Sequence, residues 1–258
     1  MKYSLGIALS GGGVRGIAHI GVLQCLEDHG YQPEIVSGTS AGALVGTLYA
    51  AGMRPAEILE IFTESSLLKL FKLSLPKIGL TNNAYIVETL EELLPKNDFS
   101  VLQKPLYVSV TNMSSGNFEL RHEGQLFEYV AASAAIPILF KAWEINGQQY
   151  VDGGVLNNLP VEPLRNRCEK LIGVNVTPIE HQAPAGNLIT VADRVFNLVM
   201  WANVEQRLKA CDVVIEPPAD AYHLFQLNKA EEIYKAGYET TQSMMPEIRA
   251  ILGGRAHQ

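Results

Sequence analysis

Residues 3–16 read "YSLGIALSGGGVRG": an apolar stretch, YSLGIAL at 3–9, runs directly into a glycine-rich turn, SGGGVRG at 10–16. The apolar stretch has the length and alternation of a strand. A helix follows over residues 17–29, then a strand near residues 34–37 and a second helix over residues 41–51. That order is a βαβα unit, and two strands joined through a helix lie parallel in one sheet. Their carboxyl ends then share an edge, so the turn at residues 10–16 and the turn at Ser40 face one crevice, where open α/β sheets bind ligands.

Beyond the first fifty residues the pattern continues. PLYVSVTN and NFELRHEG read as strands joined through MSSG, and KAWEI and QQYVD flank Asn146-Gly147, a type I′ hairpin signal. KLIGVNV and DVVIEP have the apolar character of buried strands, with a helical stretch between them at residues 191–209. A last amphipathic helix covers residues 228–245. The expected fold is α/β, with helices covering a mainly parallel sheet. With no repeat or linker in sight, residues 1–258 are expected to form one domain, its motif-bearing core at residues 5–160. Residues 55–80 are apolar with Lys69, Lys72 and Lys77 interleaved. They are either a surface helix or a cap that holds an acyl chain or touches a membrane surface.

Composition narrows the function classes. Twenty basic and 27 acidic residues leave a net charge of −7, which argues against a nucleic-acid partner. Cys25, Cys168 and Cys211 are odd in number and form no Cys-x-x-Cys pair, as expected of buried free thiols in a reducing compartment. No stretch reaches the roughly 18 apolar residues of a spanning helix. A cleaved leader at the N-terminus would remove the first strand, so a soluble cytoplasmic protein is expected.

By spacing, Gly11, Gly13 and Gly16 fit the dinucleotide fingerprint. That reading also needs an acid at the end of the second strand, where this chain has VSGTS. Nor does the turn carry the Gly-Lys-Ser/Thr of a phosphate loop. The residues that stand there are GTSAG, 38–42: Gly38, Thr39, Ser40, Ala41, Gly42. A serine between strand and helix can occupy a strained elbow, with the following helix directing free amides at developing negative charge. Ser40 is therefore a candidate nucleophile, the alternative being a helix N-cap.

A nucleophilic serine needs a cradle for the oxyanion and a proton acceptor. The backbone of Gly11, Gly12, Gly13, Val14, Arg15 and Gly16 can form the cradle as a nest, with Arg15 adding charge or bracing the turn. For the acceptor, His181 and His223 lie in late loops where a triad histidine would fall, and His19 in the first helix reads as a packed or capped histidine. Asp152 ends a hairpin strand, and Gly153 and Gly154 permit a turn that presents its carboxylate. An aspartate before glycine is also a common turn residue. An ordinary aspartate pKa near roughly 4 suits a serine proton poorly, so desolvation would have to raise it.

GGGVRG after the first strand, GTSAG after the second and DGG after a late hairpin, in that order, resemble the patatin family of lipid acyl hydrolases. GIAHIGVLQCLE, SAAIPILF and NNLP extend the resemblance, which covers most of residues 5–160. It implies a three-layer α/β/α sandwich and a Ser-Asp dyad without histidine. Ser40 would be the nucleophile, Asp152 its base, and residues 11–16 the oxyanion hole. It also implies phospholipid or lysophospholipid ester substrates, and neither cofactor nor metal. Gly154 stands where alanine is frequent in that family. The alternative to an enzyme is a weakly catalytic adaptor that uses the same pocket to bind a lipid or a protein.

Overall fold

A computed structural model describes residues 2–64, 83–178, 188–218 and 229–253. The unit read from the first fifty residues is present: β1 (Tyr3–Leu9), α1 (Ile17–Asp28), β2 (Ile35–Thr39) and α2 (Ala41–Ala50). Then come α3 (Pro55–Glu64), α4 (Tyr85–Leu93), β3 (Leu106–Asn112), β4 (Asn117–Arg121), α5 (Leu126–Ser133), β5 (Trp143–Ile145) and β6 (Gln148–Asp152). The chain continues through α6 (Glu162–Arg165), β7 (Cys168–Val174), α7 (Leu188–Leu208), β8 (Val213–Ile215) and α8 (Ala230–Leu252).

The strands form one mixed sheet in the order β5-β6-β3-β2-β1-β7-β8, with β4 also on β3. β1, β2, β3, β7 and β8 are mutually parallel, whereas β4, β5 and β6 add antiparallel pairs at one side. Period-two alternation sends side chains to opposite faces. Leu5, Ile7 and Leu9 of β1, Val36 of β2, Leu106, Val108 and Val110 of β3, and Ile172 and Val174 of β7 join the larger core with α1, α2 and α8. Their neighbours Ala8, Ile35, Tyr107 and Leu171 face the other way, against Leu159, Leu164 and Val204. Helices thus cover both faces, as a three-layer α/β/α arrangement requires.

The last helix ends later than expected. α8 runs past Met245 and through Pro246 to Leu252. Proline removes one helical donor, yet Met245 and Ile248 on either side are buried, so the apolar face carries the helix onward. The cap expected at residues 55–80 is described only as far as α3; the rest lies outside the described residues. Asn146 and Gly147 both have positive φ, 52° and 73°, as a type I′ turn demands. All three cysteines are free, and burial pushes the thiols of Cys25 and Cys168 up to about 11.

Candidate active site

The parallel strands end at one edge of the sheet, and the site is assembled from the turns that leave them there. β2 pairs with β3 through Thr39 opposite Ser109, then stops. β6 takes over the same side of β3 at the next residue, Asp152 opposite Val110, because β4 occupies the other side. One parallel and one antiparallel strand therefore meet end to end. The residue after one, Ser40, lies beside the last residue of the other, Asp152.

Ser40 adopts φ 53° and ψ −121°, a left-handed conformation that costs a non-glycine residue of order 1–3 kcal/mol. It stands at the N-cap position of α2, but its hydroxyl makes no cap hydrogen bond. Instead its backbone N–H donates to the Ser133 hydroxyl (2.8 Å), which donates to the Ser109 carbonyl (2.6 Å). Close packing explains the motif glycines: a Cβ on Gly38 would overlap the Gly42 backbone, and one on Gly11 would come within 3.1 Å of Ser40 Cβ.

Asp152 is 1% exposed. Its Oδ1 accepts the Gly154 N–H at 2.7 Å. Its Oδ2 has no conventional hydrogen bond among the described residues. Burial drives the carboxyl up to about 7, against the opposing pull of the Gly154 amide and the Ser40 hydroxyl. The expected desolvation of this acid is thus present, and its environment contains a serine hydroxyl.

The glycine turn begins where β1 ends. Gly13 has φ 58°, and residues 13–16 form a short 3-10 helix leading into α1. The Gly11 N–H is taken by Asn158, through its backbone carbonyl (3.2 Å) and its Oδ1 (3.1 Å). The amides of Gly12 and Gly13 have no hydrogen-bond partner among the described residues. The turn therefore leaves a narrower set of free donors than residues 11–16 as a whole. Arg15 is buried rather than solvated.

His19 is fully buried, and its Nε2–H donates to the Ser10 carbonyl at 2.8 Å. A carbonyl only accepts, which fixes the proton on Nε2. Burial lowers its pKa to about 4, so it braces the glycine turn as a neutral ring. This is the packed histidine read from sequence. His181 and His223 lie outside the described residues.

Sequence reasoning assigned no role to Ser133, Asn158 or Asn203. Asn158 belongs to the NNLP stretch, which is laced to the sheet: Thr39 and Ser109 hydroxyls donate to the Asn157 carbonyl, and the Ser37 hydroxyl donates to that of Pro160. Two adjacent asparagines after an Asp-Gly-Gly turn are the only local signal of this lacing.

Among solved structures, VipD from Legionella pneumophila superposes with a TM-score of 0.57, at 18% identity, over 96% of this chain and 67% of that one. Human GIVD cytosolic phospholipase A2, in complex with methyl gamma-linolenyl fluorophosphonate, gives 0.53 at 13% identity over 97% and 58%. These likenesses are of fold. In sequence, the chain is 27% identical to lysophospholipase nte1 of Neurospora crassa over 95% of its own length, and 27% identical to lysophospholipase NTE1 of Saccharomyces cerevisiae over 92%. It spans only 18% and 16% of those two proteins. The family model described as patatin-like phospholipase matches residues 7–165. That stretch is more than half of the chain and contains both the strained serine and the buried aspartate, and the chain belongs to the patatin-like phospholipase family.

Proposed function

We propose that this chain is a serine hydrolase of lipid carboxylic esters, of the phospholipid or lysophospholipid class, working through Ser40 and Asp152. The observation that carries this reading is the juxtaposition itself: a strained serine beside a carboxyl whose burial brings its pKa to about 7. A base titrating near neutrality accepts a serine proton far better than an ordinary aspartate. Asp152 takes that proton as Ser40 Oγ attacks the ester carbonyl. The oxyanion is received by the free amides of Gly12 and Gly13 and by the N-terminus of α2. Collapse expels the alcohol, protonated by Asp152, and leaves an acyl-Ser40 ester. Water, deprotonated by Asp152, then attacks the acyl carbon, releases the fatty acid and restores the serine.

The lipid class is supported by the lysophospholipase names of the fungal relatives, matched over less than a fifth of their length. It is also supported by apolar exposure around the site. α7 packs on the acid turn through Met200, while its outward Val191, Val195, Leu198 and Val199 are exposed. Ile138 is 74% exposed on the loop whose Ala135 carbonyl receives the Asp152 N–H. No helix among the described residues is long and apolar enough to cross a membrane.

The test is labelling with a fluorophosphonate ester together with turnover of lysophospholipid, phospholipid and short acyl esters. Wild-type protein is expected to label at Ser40 and to hydrolyse at least the lysophospholipid. Labelling and turnover that persist in Ser40→Ala overturn the reading.

A further inference from the structure

The glycine turn and the acid turn come from distant parts of the chain, and one side chain of α7 is bonded toward both. Asn203 Oδ1 accepts the Asn158 N–H at 2.7 Å, and its Nδ2 donates to the Gly154 carbonyl at 3.0 Å and to the Val199 carbonyl one turn back at 3.1 Å. Asn158 is itself fully buried and holds the Gly11 N–H with two oxygens. Its Oδ1 lies between the turns: a Cβ on Gly11 would come within 2.5 Å of it, and one on Gly154 within 2.9 Å. Gly154 is gripped from both sides, its N–H by Asp152 Oδ1 and its C=O by Asn203 Nδ2.

We infer that Asn203 is a positioning residue for the dyad: it fixes the backbone at Gly154 from the carbonyl side, and through that residue the Asp152 carboxylate, while holding Asn158 against the glycine turn. The inference rests on the Ser40-Asp152 reading. An amide suits this position because it carries its acceptor and its two donor hydrogens on separate atoms, so it can accept from Asn158 while donating twice, where a hydroxyl has one donor and accepts on the same atom. Met200 and Asn203 lie three residues apart, so both reach the acid turn from one face of α7. The Gly154 N–H is one of two groups that favour the charged form of Asp152, the other being the Ser40 hydroxyl. The Gly154 carbonyl lies in the peptide after the one that carries its N–H, so releasing it frees the glycine backbone about its own φ and ψ; the N–H is then held less firmly against Asp152, and the carboxylate loses both orientation and stabilisation.

The test compares wild type, Asn203→Ala, Asn203→Asp and, as a control on the exposed face of the same helix, Gln206→Ala. Each is assayed for short-ester hydrolysis across pH 5–9 and for its fluorophosphonate labelling rate. Asn203→Ala is expected to lower kcat by about 10- to 100-fold, since a misplacement of about 1 Å at a reacting group can cost about 100-fold, with KM within about threefold. The midpoint of its acid limb should move upward. Asn203→Asp keeps the acceptor for Asn158 but sets an oxygen against the Gly154 carbonyl. It should show the same upward movement, and it serves as the second variant if Asn203→Ala does not fold. Gln206→Ala should match wild type. Unchanged kcat and unchanged limb in both Asn203 variants overturn the inference, as does a pure rise in KM. Activity retained in Asp152→Asn would instead mark failure of the dyad reading, which separates the two.

Discussion

Thr39 and Asp152 pair with consecutive residues on the same side of β3, Ser109 and Val110. This hand-over from a parallel to an antiparallel strand is what places a serine and an aspartate 112 positions apart in sequence next to each other. It also makes Asp152 the last residue of a strand, 1% exposed, rather than part of a loop.

Burial sets the first prediction. With Asp152 at about 7 and required as a base, kcat/KM for a short ester should rise with pH through a single ionisation near 7 and then level off. His19 cannot supply this limb, because its pKa is lowered to about 4 and its one donor is occupied. A pH-rate profile with a midpoint near 4 would argue that Asp152 is solvated in the working enzyme.

The same shift has a cost in stability. A carboxyl at about 7 in the fold and at its ordinary 3.8 in the unfolded chain favours folding fully below pH 3.8. That advantage is lost as pH rises through 7. At 1.36 kcal/mol per unit the loss is at most about 4 kcal/mol. Asp152→Asn removes the ionisation, so it should be inactive yet gain stability relative to wild type as pH rises from 5 to 8. Urea unfolding at several pH values measures the gap, and a gap independent of pH contradicts the assignment.

His19 works in the opposite direction. Its folded value of about 4 lies below its ordinary 6.5, so the unfolded chain binds the proton more readily as pH falls from 6.5 to 4. Wild-type protein should lose up to about 3 kcal/mol over that window. His19→Gln should flatten this loss while retaining fluorophosphonate labelling at pH 8. Unfolding curves of the two proteins at pH 4.5 and 7.5 decide it.

The sequence carried the parts of the site that depend on backbone. Gly38 and Gly42 bracket Ser40 because no side chain fits there, Asn146-Gly147 sets the hairpin that delivers Asp152, and period-two alternation sorts the two cores. Polar contacts made across long separations were not legible in it. Ser133 ends a helix whose own sequence, LFEYVAAS, reads as core, and its partners Ser40 and Ser109 are 93 and 24 residues away. Asn203 lies in a stretch that the sequence marks only as helical. The availability of the Gly11 amide was equally hidden, since it depends on Asn158 folding back 147 positions. A hydrogen bond leaves no period in the sequence, whereas burial and turn geometry do.

Ser133 gives a prediction of its own. Its hydroxyl receives the Ser40 N–H and donates to the Ser109 carbonyl, both buried. Ser133→Ala leaves those two groups without partners, which costs about 1–3 kcal/mol each. The variant should melt lower and also lose kcat, because the elbow that strains Ser40 is no longer held. Ser133→Thr keeps the hydroxyl and should recover part of both. Thermal melts and initial rates of the two variants check this, and full activity in Ser133→Ala would show that the helix α2 backbone alone holds the elbow.

Two glycines of α2 separate a steric requirement from simple helix propensity. A Cβ on Gly42 would come within 2.5 Å of the Ser10 carbonyl oxygen and would overlap the Leu9 carbonyl as well. Leu9 ends the strand that launches the glycine turn and Ser10 begins the turn, so neither main-chain atom can move without displacing the turn. Gly42→Ala should therefore destabilise by about 3 kcal/mol or more and abolish labelling of Ser40. At Gly46, one turn further along, the nearest atoms are the ends of the Val36 and Leu106 side chains, at 3.1 and 3.4 Å, which can give way by a few tenths of an ångström. Replacing a mid-helix glycine with alanine also gains about 1 kcal/mol of helix propensity. Gly46→Ala should thus fold with stability within about 1 kcal/mol of wild type and keep its labelling. Denaturant unfolding of the pair tests the contrast: equal losses at the two positions would mean that α2 tolerates no added volume anywhere and that contact of Gly42 with the glycine turn is not what matters.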